Sequence, residues 1–417
     1  MSTYDRPDGM LRVLMLDNEY PPLGGGTGIV NRRLLEHWAA RGDVDVDLVT
    51  SSRLRRGGEY EELTPDIRIH KVPVDNRNIH HSSSRELLTY AWRGWRLARR
   101  LALRGGHDVC LAWAGVPAGG VAMWLRQELG LPYIVSLQGP DVPGFEDRYR
   151  WHYLLLTPFI RGVWRRAEAV TACSEGHREL ALHTDPDAPV QVIANGVDIG
   201  CFCPPEVRRE EAGALRVLCV GRLIERKGQH HLLAAVRRLR DLGQDIELTL
   251  VGTGDGEADL RRLAAELRLE ACVRFAGCVS HEEMPDLYRA SDLFVLPSYN
   301  EGMSIALLEA MACGLPVVVT DTGGTRELVR GNGVVVPWAD AAALADAITA
   351  LAADVGLRRS MGEASRAVAA RYTWAHAADE YLSLCRAVAR AHRRGVSPSL
   401  GRAVADEPTG LEHSGRR

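Results

Sequence analysis

The chain has 417 residues, of which 46% are apolar and 25% are charged, and its formal net charge at pH 7 is −3. The length is typical of two or three domains, and the composition is that of a globular protein. Because the charge is nearly balanced, a strongly basic nucleic-acid-binding protein is excluded and no nucleic-acid partner is expected.

The sequence carries no signal for export or for a membrane span. No apolar run approaches the ~18 residues of a transmembrane helix, and the first ten residues, MSTYDRPDGM, lack the apolar core of a signal peptide. Nine cysteines are scattered without a CxxC pair, which is typical of reduced thiols rather than of disulfides or a zinc site. We therefore expect a cytoplasmic protein.

Two halves of the chain begin alike. The run LRVL occurs at 11–14 and again at 215–218, each time in a short apolar strand followed by a glycine-bearing turn and an amphipathic helix. Strands and helices then alternate through both halves, which predicts parallel sheets between layers of helices. The further predicted strands are VDVDLVT, DVCLAWA, YIVSLQG, AVTACS and VQVIANG in the first half and IELTLVG, VRFAG, LFVLPS and PVVVTDTGG in the second.

The fold class is therefore α/β, with two doubly wound, Rossmann-like domains expected to face each other across a cleft. The first domain is expected over 1–198 and the second over 199–375, with a turn-rich, charged linker from about 198 to 213. A helix over 376–395 is expected to pack back on the first domain. Residues 396–417 are polar and rich in Gly and Pro, which predicts a disordered tail.

The stretch YNEGMSIALLEAMACG follows the predicted strand LFVLPS and places two acids near the start of a helix. Ser304 is the predicted N-cap, so Glu301 lies in the loop and Glu309 about one and a half turns into the helix. Backbone N–H groups at such a helix start attract anions. This segment alone leaves two interpretations open: a phosphate site flanked by two functional carboxylates, or two solvated acids near a positive helix end.

Residues 297–314, PSYNEGMSIALLEAMACG, resemble the E-x7-E signature of the retaining glycosyltransferases of family 4, which have the GT-B fold. The stretches PPLGGGTG (21–28), VIANGVD (192–198), VGRLIERKGQHHLL (220–233) and VGTGDG (251–256) occur in that family's order. The resemblance covers about residues 11 to 390. It implies a hexosyltransferase that moves a sugar from a nucleotide-diphosphate sugar to an acceptor hydroxyl with retention of configuration.

The resemblance also implies roles for particular residues. Arg222 and Lys227 match the basic pair that holds the donor's diphosphate, Glu301 the acid near the transferred sugar, and Glu309 the acid that binds the ribose. Because two cations would stabilise the leaving diphosphate, no metal and no cofactor is expected. The further donor-binding positions are Gly25 and Gly26 at the diphosphate, Val279 at the base, and the backbone of Gly302, Met303, Ser304 and Ile305.

One position departs from the family pattern. Where the family often has a histidine before Gly-x-Asp, this chain has Gln138 in the stretch QGPD, which ends at Asp141. Both residues are expected on the side of the transferred sugar or the acceptor. Glutamine cannot titrate, so a general base at position 138 is excluded. The sequence identifies neither the acceptor nor the base and sugar of the donor.

Other motifs give weaker signals. GGGTG and GTGDG lack the third glycine of a dinucleotide loop. We interpret as structural, rather than as metal ligands, the stretch DVDVD at 43–47 and the histidine pairs at 80–81 and 230–231. The helix around 90–106 would place Arg93, Arg96, Arg100 and Arg104 on one face, with Trp92 and Trp95 beside it. This face is either solvated or makes a peripheral contact with an anionic membrane.

Two other functions are compatible with the fold. A nucleotide-sugar 2-epimerase would need titratable groups around the sugar, and Gln138 argues against that. A non-catalytic sugar-nucleotide binder would keep the donor site without turnover.

Overall fold

The computed structural model describes residues 10–76, 78, 82–206 and 213–395. The expected tail at 396–417, part of the expected linker and the histidine pair at 80–81 lie outside these residues. The described chain forms two compact units. The first takes in the residues up to Cys173, the segment His177–Ile193 and the residues from Ala378 onwards; the second takes in Ser174–Gly176 and Ala194–Ala377. The main division therefore follows Ile193, whereas the sequence analysis places it after residue 198.

The first unit is built on an eight-stranded sheet with the order β3-β4-β2-β1-β5-β6-β7-β8. All neighbouring strands are parallel except the edge strand β3, which is antiparallel to β4. The strands are β1 (Leu11–Leu16), β2 (Val44–Ser52), β3 (Glu59–Thr64), β4 (Ile67–Pro73), β5 (Val109–Trp113), β6 (Tyr133–Leu137), β7 (Ala169–Ala172) and β8 (Val190–Val192).

The sequence analysis did not predict the hairpin formed by β3 and β4. β3 is rich in glutamate and its residues are exposed or half-buried, so it lacks the apolar pattern that reveals the other strands. The helices of this unit are α1 (Gly26–Arg41), α2 (Ser84–Gly105), α3 (Gly120–Leu129), α4 (Arg150–Arg166) and α5 (Glu175–Thr184, whose first two residues belong to the second unit).

The second unit is built on a fully parallel six-stranded sheet with the order β11-β10-β9-β12-β13-β14. This is the strand order of a Rossmann fold, in which ligands bind beyond the carboxyl ends of the strands. The strands are β9 (Leu215–Val220), β10 (Ile246–Val251), β11 (Val273–Gly277), β12 (Leu293–Leu296), β13 (Val317–Thr320) and β14 (Gly333–Val336). The helices are α6 (Gln229–Asp241), α7 (Glu257–Glu266), α8 (Met284–Arg289), α9 (Ile305–Ala312), α10 (Ala341–Ala353) and α11 (Val355–Ala369).

The two LRVL strands, β1 and β9, lie near the middle of their sheets, where helices cover both faces. Five of the six residues of β1 and three of the six of β9 are buried, and the others are half-buried, as expected for strands within parallel sheets. The last helix, α12 (Trp374–Arg393), belongs to the first unit from Ala378 onwards. There, Trp38 Nε1 donates to Ala378 O at 3.0 Å, and the buried Tyr381 packs on Trp113 with ring centroids 5.1 Å apart.

Candidate functional site

Glu301 lies where the chain passes from β12 into α9. β12 ends at Leu296 and α9 begins at Ile305, so Glu301 is in the loop between them. Ser304 caps the helix, because its hydroxyl accepts a hydrogen bond from the backbone N–H of Leu307 at 3.3 Å. The predicted loop position of Glu301 and the predicted N-cap are confirmed.

The carboxylate of Glu301 forms a buried ion pair with Lys227. Lys227 Nζ donates to Glu301 Oε1 at 2.5 Å, and the two side chains are 14% and 8% exposed. Ser298 Oγ donates to the same oxygen at 2.6 Å. Burial raises the pKa of Glu301, but the charges of Lys227 and Arg226 and the hydrogen bonds from Lys227 and Ser298 together lower it more, so the carboxyl group is ionised at neutral pH. Burial also lowers the pKa of Lys227, while Glu301 opposes that effect.

Gly228 lets the loop of Lys227 approach β12 closely. Its φ is +67°, and a Cβ there would lie 2.0 Å from the carbonyl oxygen of Pro297. Only glycine meets both demands without strain. Beside it, Arg226 Nη1 donates to the carbonyl of Asn300 at 2.8 Å, which ties the two loops together next to Glu301.

Arg222 lies on the same turn, between β9 and α6. It is half-buried, and its carbonyl accepts a hydrogen bond from Gln229 Nε2 at 3.0 Å. The structure therefore brings Arg222 and Lys227 to the carboxyl edge of the second sheet, at the same edge as Glu301.

Glu309 is held by a tyrosine that the sequence analysis does not identify. Tyr288 of α8 is fully buried, and its hydroxyl donates to Glu309 Oε2 at 2.8 Å. Burial, followed by the nearby charge of Glu309, raises the pKa of Tyr288 well above its ordinary value, so the phenol stays a donor. In the sequence Tyr288 belongs to no motif and occupies an ordinary apolar position of a short helix, so nothing there indicates its contact with Glu309.

The loop after β13 supports the backbone around Glu301. Gly324 N donates to the carbonyl of Glu301 at 3.1 Å, and a Cβ on Gly324 would lie 1.7 Å from the carbonyl oxygen of Gly302. Met303 is buried nearby, and its carbonyl accepts from Asn195 Nδ2 at 3.4 Å. The predicted backbone donors from Gly302 onwards thus lie in a tightly packed segment at the start of α9, where the first-turn amides are not used within the helix.

Val279 follows β11 and is half-buried at the same sheet edge as the other second-unit positions. Parallel strands of one sheet all end at that edge, so its placement agrees with a site that spans several strand ends.

In the first unit, Gly25 and Gly26 stand at the start of α1. The N–H of Gly25 donates to Glu19 Oε2 at 3.0 Å, and a Cβ on Gly24 would collide with the same side chain. The backbone N–H of Glu19 in turn donates to the buried carboxylate of Asp17 at 2.9 Å. A carboxylate thus binds at the helix start where the sequence analysis expects a phosphate.

Gln138 follows β6 and is fixed by a hydrogen-bond network. Its Nε2 donates to Ser136 Oγ at 3.0 Å, and Ser136 Oγ lies 2.8 Å from the hydroxyl of Tyr381 on α12. Thr171 Oγ1 lies 3.3 Å from the same hydroxyl. The orientation of the Gln138 amide therefore depends on a helix more than 200 residues away in sequence.

Asp141 closes the loop that begins at Gln138. Its carboxylate accepts from the backbone N–H groups of Gly139 at 2.9 Å, Gly115 at 3.1 Å and Gln138 at 3.2 Å. Burial raises the pKa of Asp141 to about 6, although the three N–H groups act in the opposite direction. Asp141 is therefore both a loop anchor and a group that titrates close to neutrality.

The Asp-rich stretch of β2 has a structural role. Asp47 accepts from Arg68 Nε at 2.8 Å and lies 2.8 Å from His70 Nε2 and 3.0 Å from His107 Nε2. Within the described ranges, no group of three or more His, Cys, Asp or Glu side chains could hold a metal ion.

The outer face of α2 differs from the sequence-based expectation. Arg93 Nη1 donates to the carbonyl of Pro73 at 2.6 Å, and Trp95 packs against the core of the first unit. Trp92, Arg96 and Arg100 remain exposed. The helical pattern identifies the arginine stripe, but the packing of α2 on β4 removes Arg93 and Trp95 from the exposed face.

No helix of the described chain combines the length and the apolar content that a membrane crossing requires. All nine cysteines are free thiols.

Solved structures share the fold over about nine tenths of the chain. Sucrose-phosphate synthase from Thermosynechococcus elongatus is 25% identical, with a TM-score of 0.81 over 91% of this chain and 100% of that chain. Anabaena HepE, solved in complex with UDP and glucose, is 22% identical, with a TM-score of 0.70 over 90% of this chain and 99% of that chain. The two Rossmann-like units are thus those of a GT-B glycosyltransferase.

Family models and curated relatives narrow this class. Residues 205–368 match the model of glycosyl transferases group 1, and residues 25–196 match the glycosyl transferase 4-like domain. The D-inositol 3-phosphate glycosyltransferase of Corynebacterium jeikeium is 37% identical over 51% of this chain and 55% of its own length. The GDP-mannose-dependent alpha-(1-6)-phosphatidylinositol monomannoside mannosyltransferase of Mycolicibacterium smegmatis is 32% identical over 64% of this chain and 74% of its own length. The chain belongs to the group 1 glycosyltransferase family. It spans only about half the length of the first of these relatives.

Proposed function

We propose that the chain transfers a hexose from a nucleoside-diphosphate sugar to an acceptor hydroxyl, with retention of configuration and without a metal ion. The observation that carries this proposal is the buried Lys227–Glu301 pair at the start of α9, on the same sheet edge as Arg222. An ion pair buried beside the N-terminus of a helix is suited to an anionic substrate with hydroxyl groups.

In this mechanism the second unit stabilises the leaving group. The bond between the sugar's anomeric carbon and the phosphate oxygen breaks, and its electron pair stays on the diphosphate. Lys227 and Arg222 stabilise that charge, together with the first-turn amides of α9. Glu301 keeps Lys227 ionised and accepts hydrogen bonds from the transferred sugar. Glu309, oriented by Tyr288, accepts from the ribose hydroxyls.

The acceptor's proton needs no side-chain base in this scheme. The acceptor oxygen attacks the anomeric carbon on the face that the diphosphate leaves, and the leaving phosphate oxygen takes the acceptor's proton. Gln138 donates and accepts hydrogen bonds there without a change in its own charge. This agrees with an amide that the Ser136 hydroxyl holds in place.

Two donor nucleotides are supported by relatives. A structural neighbour is solved with UDP-glucose, and a curated relative is named as GDP-mannose-dependent. The proposal therefore covers UDP- and GDP-hexoses as the first candidates. We also propose a cytoplasmic location with a peripheral membrane contact.

A panel of UDP-, GDP-, ADP- and TDP-sugars tests the proposal. A donor at 100 times its dissociation constant should add about 2.7 kcal/mol of stability and raise the melting temperature. Transfer to an acceptor, followed by NMR of the product's anomeric proton, reports retention. Epimerised donor without acceptor would identify the 2-epimerase, and donor binding without hydrolysis or transfer would identify a non-catalytic binder.

The chain's lysine content offers a sharper test of the site. The chain has 51 Lys and Arg residues, yet Lys71 and Lys227 are its only lysines. Lys71 belongs to the first unit, is 15% exposed and pairs with Glu61 at 2.7 Å, so it is a matched control. A nucleoside diphosphate should protect Lys227 from acetic anhydride and leave Lys71 unprotected. Equal labelling of both lysines with and without nucleotide would contradict the proposed diphosphate site.

A further inference from the structure

Three consecutive helices cover one side of the first sheet and present large apolar side chains outwards. α2, α3 and α4 contribute to the same core cluster through their inner residues, among them Tyr90, Val121 and Trp164. We call their outer side the α2–α4 face. The exposed apolar residues of the three helices are Leu88, Trp92 and Leu103 of α2, Trp124 of α3, and Trp151, Leu154, Leu155 and Leu156 of α4.

The start of α4 is the most unusual part of this face. Trp151, Leu154, Leu155 and Pro158 stand at the spacing i, i+3, i+4 and i+7, which in a globular protein marks the side of a helix that packs on a core. Here the stripe is exposed: Trp151 is 68%, Leu154 65% and Leu155 83% accessible. Contiguous exposed apolar residues of this size mark an interaction surface.

The three helices carry an excess of positive charge although the chain is slightly negative. The three helices contain eleven arginines and two glutamates, whereas the whole chain has a net charge of −3. Glu128 pairs with Arg99, and two further arginines, Arg126 and Arg165, pair with acids outside the three helices, so the excess comes from the remaining arginines. Arg96 lies over the ring of Trp92 at 4.8 Å and Arg150 over that of Trp151 at 5.1 Å, so cations and rings alternate on the surface.

We propose that the α2–α4 face docks on an anionic lipid surface. Tryptophan, leucine and arginine on one side of surface helices form the pattern of an interfacial contact, with apolar side chains in the headgroup region and arginines at lipid phosphates. An excess of one charge sign over three helices fits a uniformly anionic surface. This inference rests on the peripheral contact in the proposed function, and it assigns that contact to α4 and α3 as well as to α2.

The docking would bear on the acceptor. α4 follows the loop of Gln138 and Asp141, the two residues expected near the acceptor. The helix that would contact the lipid therefore directly follows the acceptor loop in the chain. This arrangement favours an acceptor that is itself part of the membrane.

Vesicle sedimentation of the full chain tests the inference without any need for turnover. We expect the protein to bind vesicles of equal parts phosphatidylcholine and phosphatidylglycerol and not vesicles of phosphatidylcholine alone, with binding that weakens as salt is added. The double variant Trp151→Ser/Leu155→Ser should bind at least about tenfold more weakly. Arg96→Glu/Arg150→Glu should lose roughly fivefold or more for each arginine.

Matched variants in the second unit provide the control. Leu242 is 69% and Trp338 48% exposed, so Leu242→Ser/Trp338→Ser removes similar surface without touching the α2–α4 face. Arg262→Glu, at a side chain that is 68% exposed, controls for the added negative charge. These variants should bind vesicles as the wild type does.

Several outcomes would overturn the inference: no sedimentation of the wild type, equal binding to both vesicle types, or equal loss in the control variants. Self-association that the Trp151→Ser/Leu155→Ser pair abolishes, without vesicle binding, would identify a second copy as the occupant instead. A protein that transfers sugar to a soluble acceptor but does not bind vesicles refutes this inference alone. A protein that binds vesicles but neither binds nor turns over any donor refutes the proposed function and leaves the lipid surface in place.

Discussion

Removing one partner of the Lys227–Glu301 pair should destabilise the second unit more than removing both. In Glu301→Gln the ammonium of Lys227, only 14% exposed, loses the carboxylate 2.5 Å away and stays buried without a counter-charge. Such a loss costs about 3–5 kcal/mol, and because Lys227 keeps some exposure to water we expect about 3 kcal/mol. In Lys227→Met/Glu301→Gln no charge is left buried, so we expect a cost within about 1 kcal/mol of the wild type.

The control pair lies in the other unit. Lys71 and Glu61 are at a similar distance, 2.7 Å, but Glu61 is 42% exposed. Glu61→Gln should therefore cost no more than about 1 kcal/mol, because water replaces the lost partner. The comparison separates the effect of burial from that of the ion pair itself.

The dependence on pH follows from the sign of the shift. The pKa of Glu301 is lowered in the folded chain from an ordinary value of 4.5, because burial is outweighed by the charges of Lys227 and Arg226 together with the hydrogen bonds to the carboxylate. The folded chain therefore releases this proton more readily, and the pair's contribution is fully present above about pH 4.5 and lost as the pH falls through the folded pKa. The difference between the wild type and Glu301→Gln should shrink over that acidic range and stay constant from pH 6 to 8.

Hydrogen exchange of the β12 and β13 amides is the suitable assay. A melt of a two-unit chain does not yield a single free energy, whereas these amides report the second unit alone. Equal protection losses in Glu301→Gln and in the double variant would refute the reasoning, because they would mean that Lys227 does not depend on its partner. The pair also couples sugar binding by Glu301 to diphosphate binding by Lys227. Because Lys227 changes position when its partner is lost, Glu301→Gln should weaken diphosphate binding as well as turnover.

Four further results are expected. Glu309→Ala should weaken binding of the free nucleoside diphosphate by roughly 1.5–3 kcal/mol, measured by calorimetry, and Tyr288→Phe should also weaken it. An unchanged affinity in Tyr288→Phe would show that the tyrosine does not orient the carboxylate. Transfer should persist in excess EDTA, and a tenfold loss that manganese restores would contradict the metal-free site. Gln138→Ala should lower kcat/KM by the equivalent of about 1–3 kcal/mol, and Gln138→His should stay active with a new limb near pH ~6.5; wild-type activity in Gln138→Ala would make the residue a bystander. Burial raises the pKa of Asp141 from 3.8 to about 6, so the folded chain binds this proton more tightly than the unfolded chain does. The melting temperature should therefore fall as the pH rises from 3.8 to about 6, and Asp141→Asn should not show this fall.

The elements that depend on local patterns can be predicted from the amino-acid sequence. The strands around Leu14 and Leu218 are recognisable because a buried parallel strand is a short apolar run that turn residues interrupt. The start of α9 is recognisable because an N-cap hydroxyl acts within three residues of its own position, as Ser304 does on Leu307. The motif spacing was likewise sufficient to place Glu301, Arg222 and Lys227 on strand-to-helix turns of one domain, and Glu309 in the helix that follows one of them.

Which side chains meet at those turns follows from the packing of the whole fold. Lys227 and Glu301 are 74 residues apart, and they pair because Gly228 allows its loop to approach Pro297. The Gln138 network ends on Tyr381, supplied by the last helix. Periodicity and capping describe only neighbours along the chain, whereas these contacts depend on how parallel strands are ordered in a sheet and on which helix covers it.

The same distinction applies to the surfaces. The helical spacing of the arginines in α2 was visible in the sequence, but burial of Trp95 and the bond from Arg93 to Pro73 follow from packing on the sheet. The stripe of Trp151, Leu154 and Leu155 has the spacing of a core-facing helix, and only the fold shows that it faces outwards. An apolar pattern predicts that a helix has an apolar side. Whether that side is buried or exposed depends on whether other elements of the fold cover it.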